Sequence, residues 1–261
     1  MNPRDLSFAE IEAWLARLKY PRAAMLRILA ADRRRTIRDL AARYERRREA
    51  ARAERLRLRR LYRTEREQRA GQLVAGVDEV GRGCLAGPVV AAAVILRDRL
   101  RIKGLDDSKQ LTRSMRERLD KTIRSQAVAV AVADASVEEI NRLNILGASR
   151  VAMRRALERL VPPPEFALVD GRDRLPLELE HAAVVRGDAS CACVAAASIV
   201  AKVARDRLMD EIDCAYPGYG FAHHKGYGTD EHLAALAQLG PSQLHRSAFL
   251  PVMQAALFEW P

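Results

Sequence analysis

Residues 73–96 read LVAGVDEVGRGCLAGPVVAAAVIL, and this stretch decides the fold. Its two apolar, valine-rich segments, Leu73–Val80 and Pro88–Leu96, are separated by glycines that favour turns, so they predict a pair of strands. Two acidic residues, Asp78 and Glu79, stand near the end of the first segment. Carboxylates in that position are held near the domain interior, where an unpaired charge is costly.

The chain downstream of this stretch continues an α/β pattern. Residues 127–133 alternate Ala and Val and predict a third strand, and short apolar segments at 166–169 and 182–185 predict two more. The predicted helices lie at residues 137–160, 192–214 and 229–239. Three strands followed by alternating helices and strands predict an α/β domain whose mixed sheet is flanked by helices.

The positive charge of the chain is concentrated in its first quarter. Residues 1–70 carry 21 of the 45 Lys and Arg but only 10 of the 34 Asp and Glu, so the net charge of +11 lies there and residues 71–261 are balanced. Helical spacing and a capping box at Ser7 and Glu10 predict that residues 1–70 form an all-α extension of the domain at 71–261. Such a basic segment indicates either a polyanion-binding surface or a solvated helix that packs on the protein.

Composition excludes several classes of protein. The 261 residues are 49% hydrophobic and 30% charged, as in globular proteins, and the longest nearly apolar run, residues 84–96, is too short to cross a bilayer. The N-terminus lacks the apolar segment of a secretory signal, and four cysteines in a chain of this length do not form a disulfide framework. We therefore expect a cytoplasmic protein with reduced thiols and no membrane contact.

Four acidic residues follow predicted strands instead of lying in charged helices: Asp78, Glu79, Asp170 and Asp188. Taken singly, each has an ordinary explanation, since Asp-Gly is a common turn and Asp often caps a helix. Together they would repel one another unless cations neutralised them, and clustered carboxylate oxygens suit Mg²⁺ or Mn²⁺. Asp78 and Glu79 point to opposite faces of a strand, so a shared site requires a bend, for which Gly81 and Gly83 provide the freedom.

These residues belong to a series of sequence blocks that resembles bacterial ribonuclease HII. The blocks, in order, are AGVDEVGRG at 75–83, LDDSKQL at 105–111, NIL at 144–146, LVDG at 168–171, RGD at 186–188, AAASIVAKV at 195–203, YGF at 219–221, HKGY at 224–227 and HRS at 245–247. Their order and spacing match the family from about residue 72 to 252. The resemblance implies a ribonuclease H-like fold and metal-dependent endonucleolytic cleavage of RNA in RNA–DNA hybrids. It also implies cleavage at single ribonucleotides embedded in duplex DNA.

The resemblance also implies roles for individual residues. The family's four catalytic acids match Asp78, Glu79, Asp170 and Asp188, of which the first three are the metal ligands and Asp188 acts partly through water. The segment that contacts the 2′-hydroxyl of the target ribonucleotide matches Gly81, Arg82 and Gly83; this hydroxyl distinguishes RNA from DNA. The tyrosine that stacks on the sugar at the RNA-to-DNA junction matches Tyr227. Phosphate-binding roles suit Ser108, Lys109, Ser198 and Lys202.

Several alternatives remain open at this point. A ribonuclease HIII-like enzyme would prefer longer RNA stretches, and a non-catalytic nucleic-acid-binding protein would not need four carboxylates that repel a polyanion. On their predicted helix, Lys202 and Arg205 could simply lie on an exposed face. We expect a monomer in which residues 1–70 either clamp the duplex or bind a protein partner. A chain that starts near Gln72 is expected to fold without them.

Overall fold

The protein forms two compact units, which divide between Arg59 and Arg60. The computed structural model describes residues 6–18, 21–69, 71–97, 100–172 and 174–257. The division comes before residue 70, where the composition changes, because residues 60–69 belong to the larger unit. There the Tyr62 hydroxyl accepts a hydrogen bond from Ile102 N at 3.1 Å, and the Glu65 carboxylate accepts one from Cys193 N.

The smaller unit consists of helices α1 (Phe8–Arg17), α2 (Ala23–Ala30) and most of α3 (Arg35–Leu61). The predicted capping box is confirmed, since Ser7 accepts from Glu10 N while the Glu10 side chain accepts from Ser7 N. The apolar faces of the three helices form a core of their own: Ile11, Leu15, Leu26, Leu29, Ile37, Leu40, Ala41 and Tyr44. This unit is therefore held together by its own apolar contacts.

The larger unit is built on a five-stranded mixed sheet in the order β3-β2-β1-β4-β5. The strands are β1 (Val74–Val80), β2 (Val89–Ile95), β3 (Ala129–Ala135), β4 (Phe166–Asp170) and β5 (His181–Val184). Strands β1, β2 and β3 pair antiparallel in sequence, whereas β4 and β5 run parallel to β1. The predicted strands and the mixed character of the sheet are confirmed.

Helices surround this sheet. They are α4 (Arg63–Arg69), α5 (Arg113–Gln126), α6 (Val137–Glu158), α7 (Gly187–Ser190), α8 (Ala192–Ala215), α9 (Phe221–His224), α10 (Asp230–Leu239) and α11 (Leu250–Ala256), with a 3₁₀ turn at Ser108–Gln110. None of the helices in the described part of the chain has the length and apolar content that crossing a membrane requires.

Alternate residues of the strands contact different helices, as the period of two requires. Ala75 and Val77 of β1 belong to a core that includes residues of α6, whereas Val74 and Leu168 pack with Cys193 and Val194 of α8. The sheet is thus covered on both faces. The approach of α8 is so close that a Cβ added at Gly76 would lie 2.1 Å from the carbonyl carbon of Cys193.

The edge of the sheet where β1 and β4 end forms the floor of the candidate site. The parallel pairing of β1 with β4 runs to Val77 opposite Val169, one residue before Asp78 and Asp170. The antiparallel register of β1 with β2 continues without interruption to Val80 opposite Val90. The strand pairing stays regular through Asp78 and Glu79 and the chain turns only after Val80, yet at this strand end both carboxylates lie close enough to Asp170 for its charge to raise their pKa.

Candidate active site

Asp78, Glu79 and Asp170 lie at this edge of the sheet with Asp188 nearby in α7, and backbone N–H groups donate to Asp78 and Asp170. Asp78 accepts from Glu79 N at 2.7 Å, and Asp170 accepts from Gly187 N at 2.7 Å at the start of α7. Helix N-termini present free N–H groups, so they favour a carboxylate in this position. Asp188 lies in the same short helix and accepts from Lys109 Nζ at 3.1 Å.

The carboxylates are close enough to influence one another's protonation. Burial raises the pKa of Asp78 well above its ordinary value, and the charges of Glu79 and Asp170 raise it further. Burial also raises the pKa of Glu79, against a hydrogen bond from Arg82 that lowers it. Burial raises the pKa of Asp170 and the charge of Asp188 adds to this effect, while Gly187 N opposes it. Such crowding of like charge is the condition that a bound cation relieves.

The residues present fit a divalent cation by their chemistry. Oε2 of Glu79 is buried and has no hydrogen-bond partner within the described structure, although its other oxygen accepts from Arg82 at 3.0 Å. Carboxylate oxygens are the ligands that Mg²⁺ and Mn²⁺ prefer. Across the described residues, no three carboxylate, imidazole or thiol groups stand in a ready-made metal site. The site therefore offers suitable donors in Asp78, Glu79 and Asp170 without a preformed coordination sphere.

Gly81, Arg82 and Gly83 form a turn directly after β1, which we call the glycine turn. Gly81 has φ +92°, and a Cβ there would lie 2.2 Å from Nε of Arg205, so the position requires glycine. At Gly83 an added Cβ would meet nothing within 4 Å, so this side of the turn is open. The Arg82 side chain contacts Glu79, which places the turn beside the carboxylates.

Tyr227 lies next to the glycine turn. Its backbone forms an antiparallel bridge with Cys84, the residue that follows the glycine turn. The ring is 38% exposed, and Nζ of Lys202 lies 5.6 Å from its centroid. A half-exposed aromatic ring beside a cation provides a surface on which a sugar or base can stack.

Three of the four residues expected to bind phosphates lie next to the carboxylates, and the fourth lies farther along α8. The hydroxyls of Ser108 and Ser198 are 2.7 Å apart, and Ser198 lies close enough to Asp78 to lower the pKa of that carboxyl. Nζ of Lys202 donates to Asp206 at 2.7 Å, and its side chain is mostly buried. The structure thus brings both serines and Lys109 next to the acidic group and places Lys202 beside Tyr227.

Two arginines whose contacts the sequence does not reveal lie beneath this region. Arg205 and Arg246 are both 0% exposed and donate hydrogen bonds to backbone carbonyls around the glycine turn. The exposed helix face considered for Arg205 is wrong, because Arg205 points into the protein. A signal was present in the spacing, since Arg205 follows Ser198 by seven residues and Ala201 by four, on the buried face of α8.

Comparison with known proteins agrees with this geometry. A family model described as Ribonuclease HII matches residues 75–252, and one described as Ribonuclease HII N-terminal domain matches residues 7–69. Ribonuclease HII of Anaeromyxobacter sp. (strain Fw109-5) is 48% identical over 98% of this chain and 83% of its own, and that of Geobacillus thermodenitrificans (strain NG80-2) is 47% identical over 97% and 98%.

Among solved structures, ribonuclease H2 from Pyrococcus horikoshii OT3 has a similar fold. Its TM-score is 0.59 at 29% identity, and the match covers 70% of this chain and 96% of that one. The match of the family model to more than half of the chain, and the near full-length relatives, leave no need for a ribonuclease HIII-like or non-catalytic interpretation. The chain therefore belongs to the ribonuclease HII family and is a nuclease of the ribonuclease H type 2 class.

Proposed function

We propose that this nuclease hydrolyses the RNA strand of RNA–DNA hybrids and also cuts at single ribonucleotides embedded in duplex DNA. The observation that carries the proposal is that the glycine turn, which would bind the ribose, contacts a carboxylate that would bind metal. Arg82 of the turn donates to Glu79 at 3.0 Å. A ribose bound at the turn would therefore have its phosphate near the carboxylates. The open face at Gly83 leaves room for the backbone to approach a 2′-hydroxyl.

The carboxylates Asp78, Glu79 and Asp170 would hold two divalent ions, Mg²⁺ or Mn²⁺. When bound, such ions supply an activated water and stabilise the leaving oxygen of an in-line displacement. The chain's own groups position the scissile phosphate, with Lys109 beside Asp188 and the two serines beside Asp78. Attack on phosphorus with departure of the 3′-oxygen leaves a 5′-phosphate and a 3′-hydroxyl.

The basic helix α3 provides a second surface that could bind the phosphate backbone of the duplex. Arg52, Arg55 and Arg59, which we call the arginine stripe, are exposed and lie on one helix face because they are three and four residues apart. Counted backwards, the same spacing reaches Tyr44 and Ala41, which are in the core of the smaller unit. The face that is buried in the first half of α3 therefore carries arginine in the second half.

The arginine stripe is available for phosphates. In the described part of the chain, none of its guanidinium groups has a carboxylate or carbonyl partner, unlike Arg43, which pairs with Glu12 at 2.7 Å. The stripe spans about 10 Å of helix, comparable to three base-pair steps of about 3.4 Å. We infer that it contacts the backbone of the duplex; a protein partner for this unit is the alternative.

Cleavage mapping with the Asp170→Asn variant tests the proposed chemistry. The substrates are a duplex with one ribonucleotide, a long hybrid and an all-DNA duplex, each with Mg²⁺ or Mn²⁺. The parent should cut the first two, and Asp170→Asn should lose nearly all cleavage while still binding, because a neutral amide is a poor metal ligand. Cleavage of the hybrid alone would indicate ribonuclease HIII-like specificity, and near-parental rates in the variant would refute the assignment of Asp170.

A further inference from the structure

Arg246 is a buried cation whose hydrogen bonds all go to backbone carbonyls. Its Nη1 donates to the Arg82 carbonyl at 2.9 Å and its Nη2 to the Gly81 carbonyl at 2.7 Å. Nε and Nη2 also donate to the Gly87 carbonyl, at 3.0 and 2.8 Å. Within the described structure no carboxylate pairs with it, and burial lowers its pKa to about 10, so it remains charged at neutral pH.

The two carbonyls held by Arg246 belong to consecutive peptide units of the glycine turn. In a trans peptide the C=O and N–H groups point in opposite directions. Because the carbonyls of Gly81 and Arg82 both point to one guanidinium, the N–H groups of Arg82 and Gly83 both point away from it. Neither N–H donates to an acceptor in the described part of the chain. Two successive outward N–H groups form a concave donor site for an electronegative oxygen.

Arg205 packs against Gly81 and joins the segment that follows the glycine turn to the segment that carries Tyr227. Its Nη2 donates to the Ala86 carbonyl at 3.1 Å, its Nε to the Pro88 carbonyl at 3.1 Å, and its Nη1 to the Lys225 carbonyl at 2.8 Å. The backbone adds a further link, since Leu85 N donates to the Gly226 carbonyl at 2.8 Å. The guanidinium therefore fixes the separation between the two substrate-contacting segments.

Backbone contacts also connect Arg246 and its neighbour His245 to the segment that follows the glycine turn. Its own N–H donates to the Leu85 carbonyl at 2.8 Å, and Ala86 forms an antiparallel bridge with His245. Desolvating a guanidinium without a paired carboxylate is unfavourable, and only good hydrogen-bond geometry offsets that penalty. Lysine at either position would keep the charge but lose the planar fork that orients two peptide units at once.

We propose that Arg246, together with Arg205, is a positioning residue for recognition of the ribonucleotide. Arg246 turns the N–H groups of Arg82 and Gly83 toward the ribose, and Arg205 fixes their distance from Tyr227. This proposal rests on the proposed function, because it assumes that the glycine turn meets the 2′-hydroxyl. A single embedded ribonucleotide depends most on this geometry, since it offers one 2′-hydroxyl, whereas a long hybrid offers many alternative registers.

The test compares Arg246→Lys with a matched control in the full-length chain. Arg155→Lys is the control, because Arg155 also donates to a backbone carbonyl, that of Asp134, but is only partly buried and pairs with Glu139. Arg246→Lys should lower kcat/KM for the single-ribonucleotide duplex roughly tenfold more than for the long hybrid, since misplacement by about 1 Å can cost on the order of 100-fold in rate. Arg155→Lys should leave the ratio of the two substrates at the parental value.

Equal losses on both substrates, or no loss, would overturn the proposal. If Arg246→Lys does not fold, Arg205→Lys carries the same prediction, and amide hydrogen exchange of the parent gives an independent result. The N–H groups of Leu85, Gly87 and Arg246 should exchange slowly, and rapid exchange would contradict a rigidly held turn. Failure of the proposed function itself would appear differently, as a parent that does not distinguish the single-ribonucleotide duplex from all-DNA duplex.

Discussion

The arginine stripe permits a quantitative prediction about binding. We consider replacement of Arg52, Arg55 and Arg59 together by Gln, which lowers the net charge from +11 to +8 and keeps a good helix former at each position. If each guanidinium contacts one phosphate, the slope of log affinity against log salt should become shallower by about 2.7, since each contact contributes about 0.9. Over a fourfold rise in salt, the variant should then lose about 40-fold less affinity than the parent.

The assay is fluorescence anisotropy of a labelled duplex with one ribonucleotide, titrated without divalent metal so that the duplex is not cut. A matched control removes the same charge elsewhere by replacing Lys121, Arg142 and Arg154, exposed residues of the larger unit, with Gln. The control should retain the parental slope, and circular dichroism should show unchanged helix content in both variants. Identical slopes for the parent and the stripe variant would refute the phosphate contacts and favour a protein partner for this unit.

Three further predictions concern the larger unit. Tyr227→Ala should reduce cleavage at a single ribonucleotide more than cleavage of a long hybrid, because a stacking contact is worth about 1–3 kcal/mol where one sugar identifies the site; equal losses in kcat/KM would count against it. Gly76→Ala should destabilise the fold by about 3 kcal/mol or more, since its Cβ would meet backbone atoms of Cys193. Gly83→Ala meets nothing within 4 Å, so it should unfold at the parental denaturant concentration but cut single ribonucleotides more slowly. Unchanged cleavage by Gly83→Ala would mean that the substrate does not approach that side of the turn. Burial lowers the pKa of His245 to about 4, below the ordinary value of about 6.5, so the free energy of unfolding should fall by up to about 3 kcal/mol as pH drops from 6.5 to 4. In urea titrations across that range His245→Asn should show a weaker fall than the parent, and an equal fall would contradict the assignment.

The strands could be predicted because their apolar runs are short, rich in Val and Ala, and bounded by turn residues. The carboxylates could be located for the same reason, since each follows such a run: Asp78, Glu79, Asp170 and Asp188. The contacts of Arg205 and Arg246 could not be predicted, because charged side chains are usually exposed and their carbonyl partners lie 20 to 165 residues away in sequence.

A long-range contact also explains why the structure divides before Arg60, whereas the composition changes near residue 70. Glu65 has the charge pattern of a solvated helix, yet its carboxylate accepts from Cys193 N at the start of α8, and burial raises its pKa. A carboxylate in this position satisfies a helix N-terminus that has no side-chain cap from its own N-cap residue, Cys191. A chain starting near Gln72 would lose this contact, so a truncation that keeps the larger unit intact should begin at Arg60.

The site has two halves, the carboxylates and the glycine turn, and different parts of the fold hold each of them in place. The carboxylates Asp78 and Asp170 are positioned by the strand ends of the central sheet and by α7. The carbonyls of the glycine turn instead accept from Arg246, and Arg205 of α8 packs against Gly81 and donates to the segment that follows the turn. Arg82 connects the halves through its contact with Glu79. In the proposed function, hydrolysis depends on the carboxylates and ribose recognition on the glycine turn, so changes at the carboxylates should slow cleavage of every substrate. Changes at the buried arginines should instead slow cleavage of the single-ribonucleotide duplex more than cleavage of the long hybrid. The ratio of the two rates therefore separates a defect in ribose recognition from a defect in hydrolysis, whereas the rate on one substrate does not.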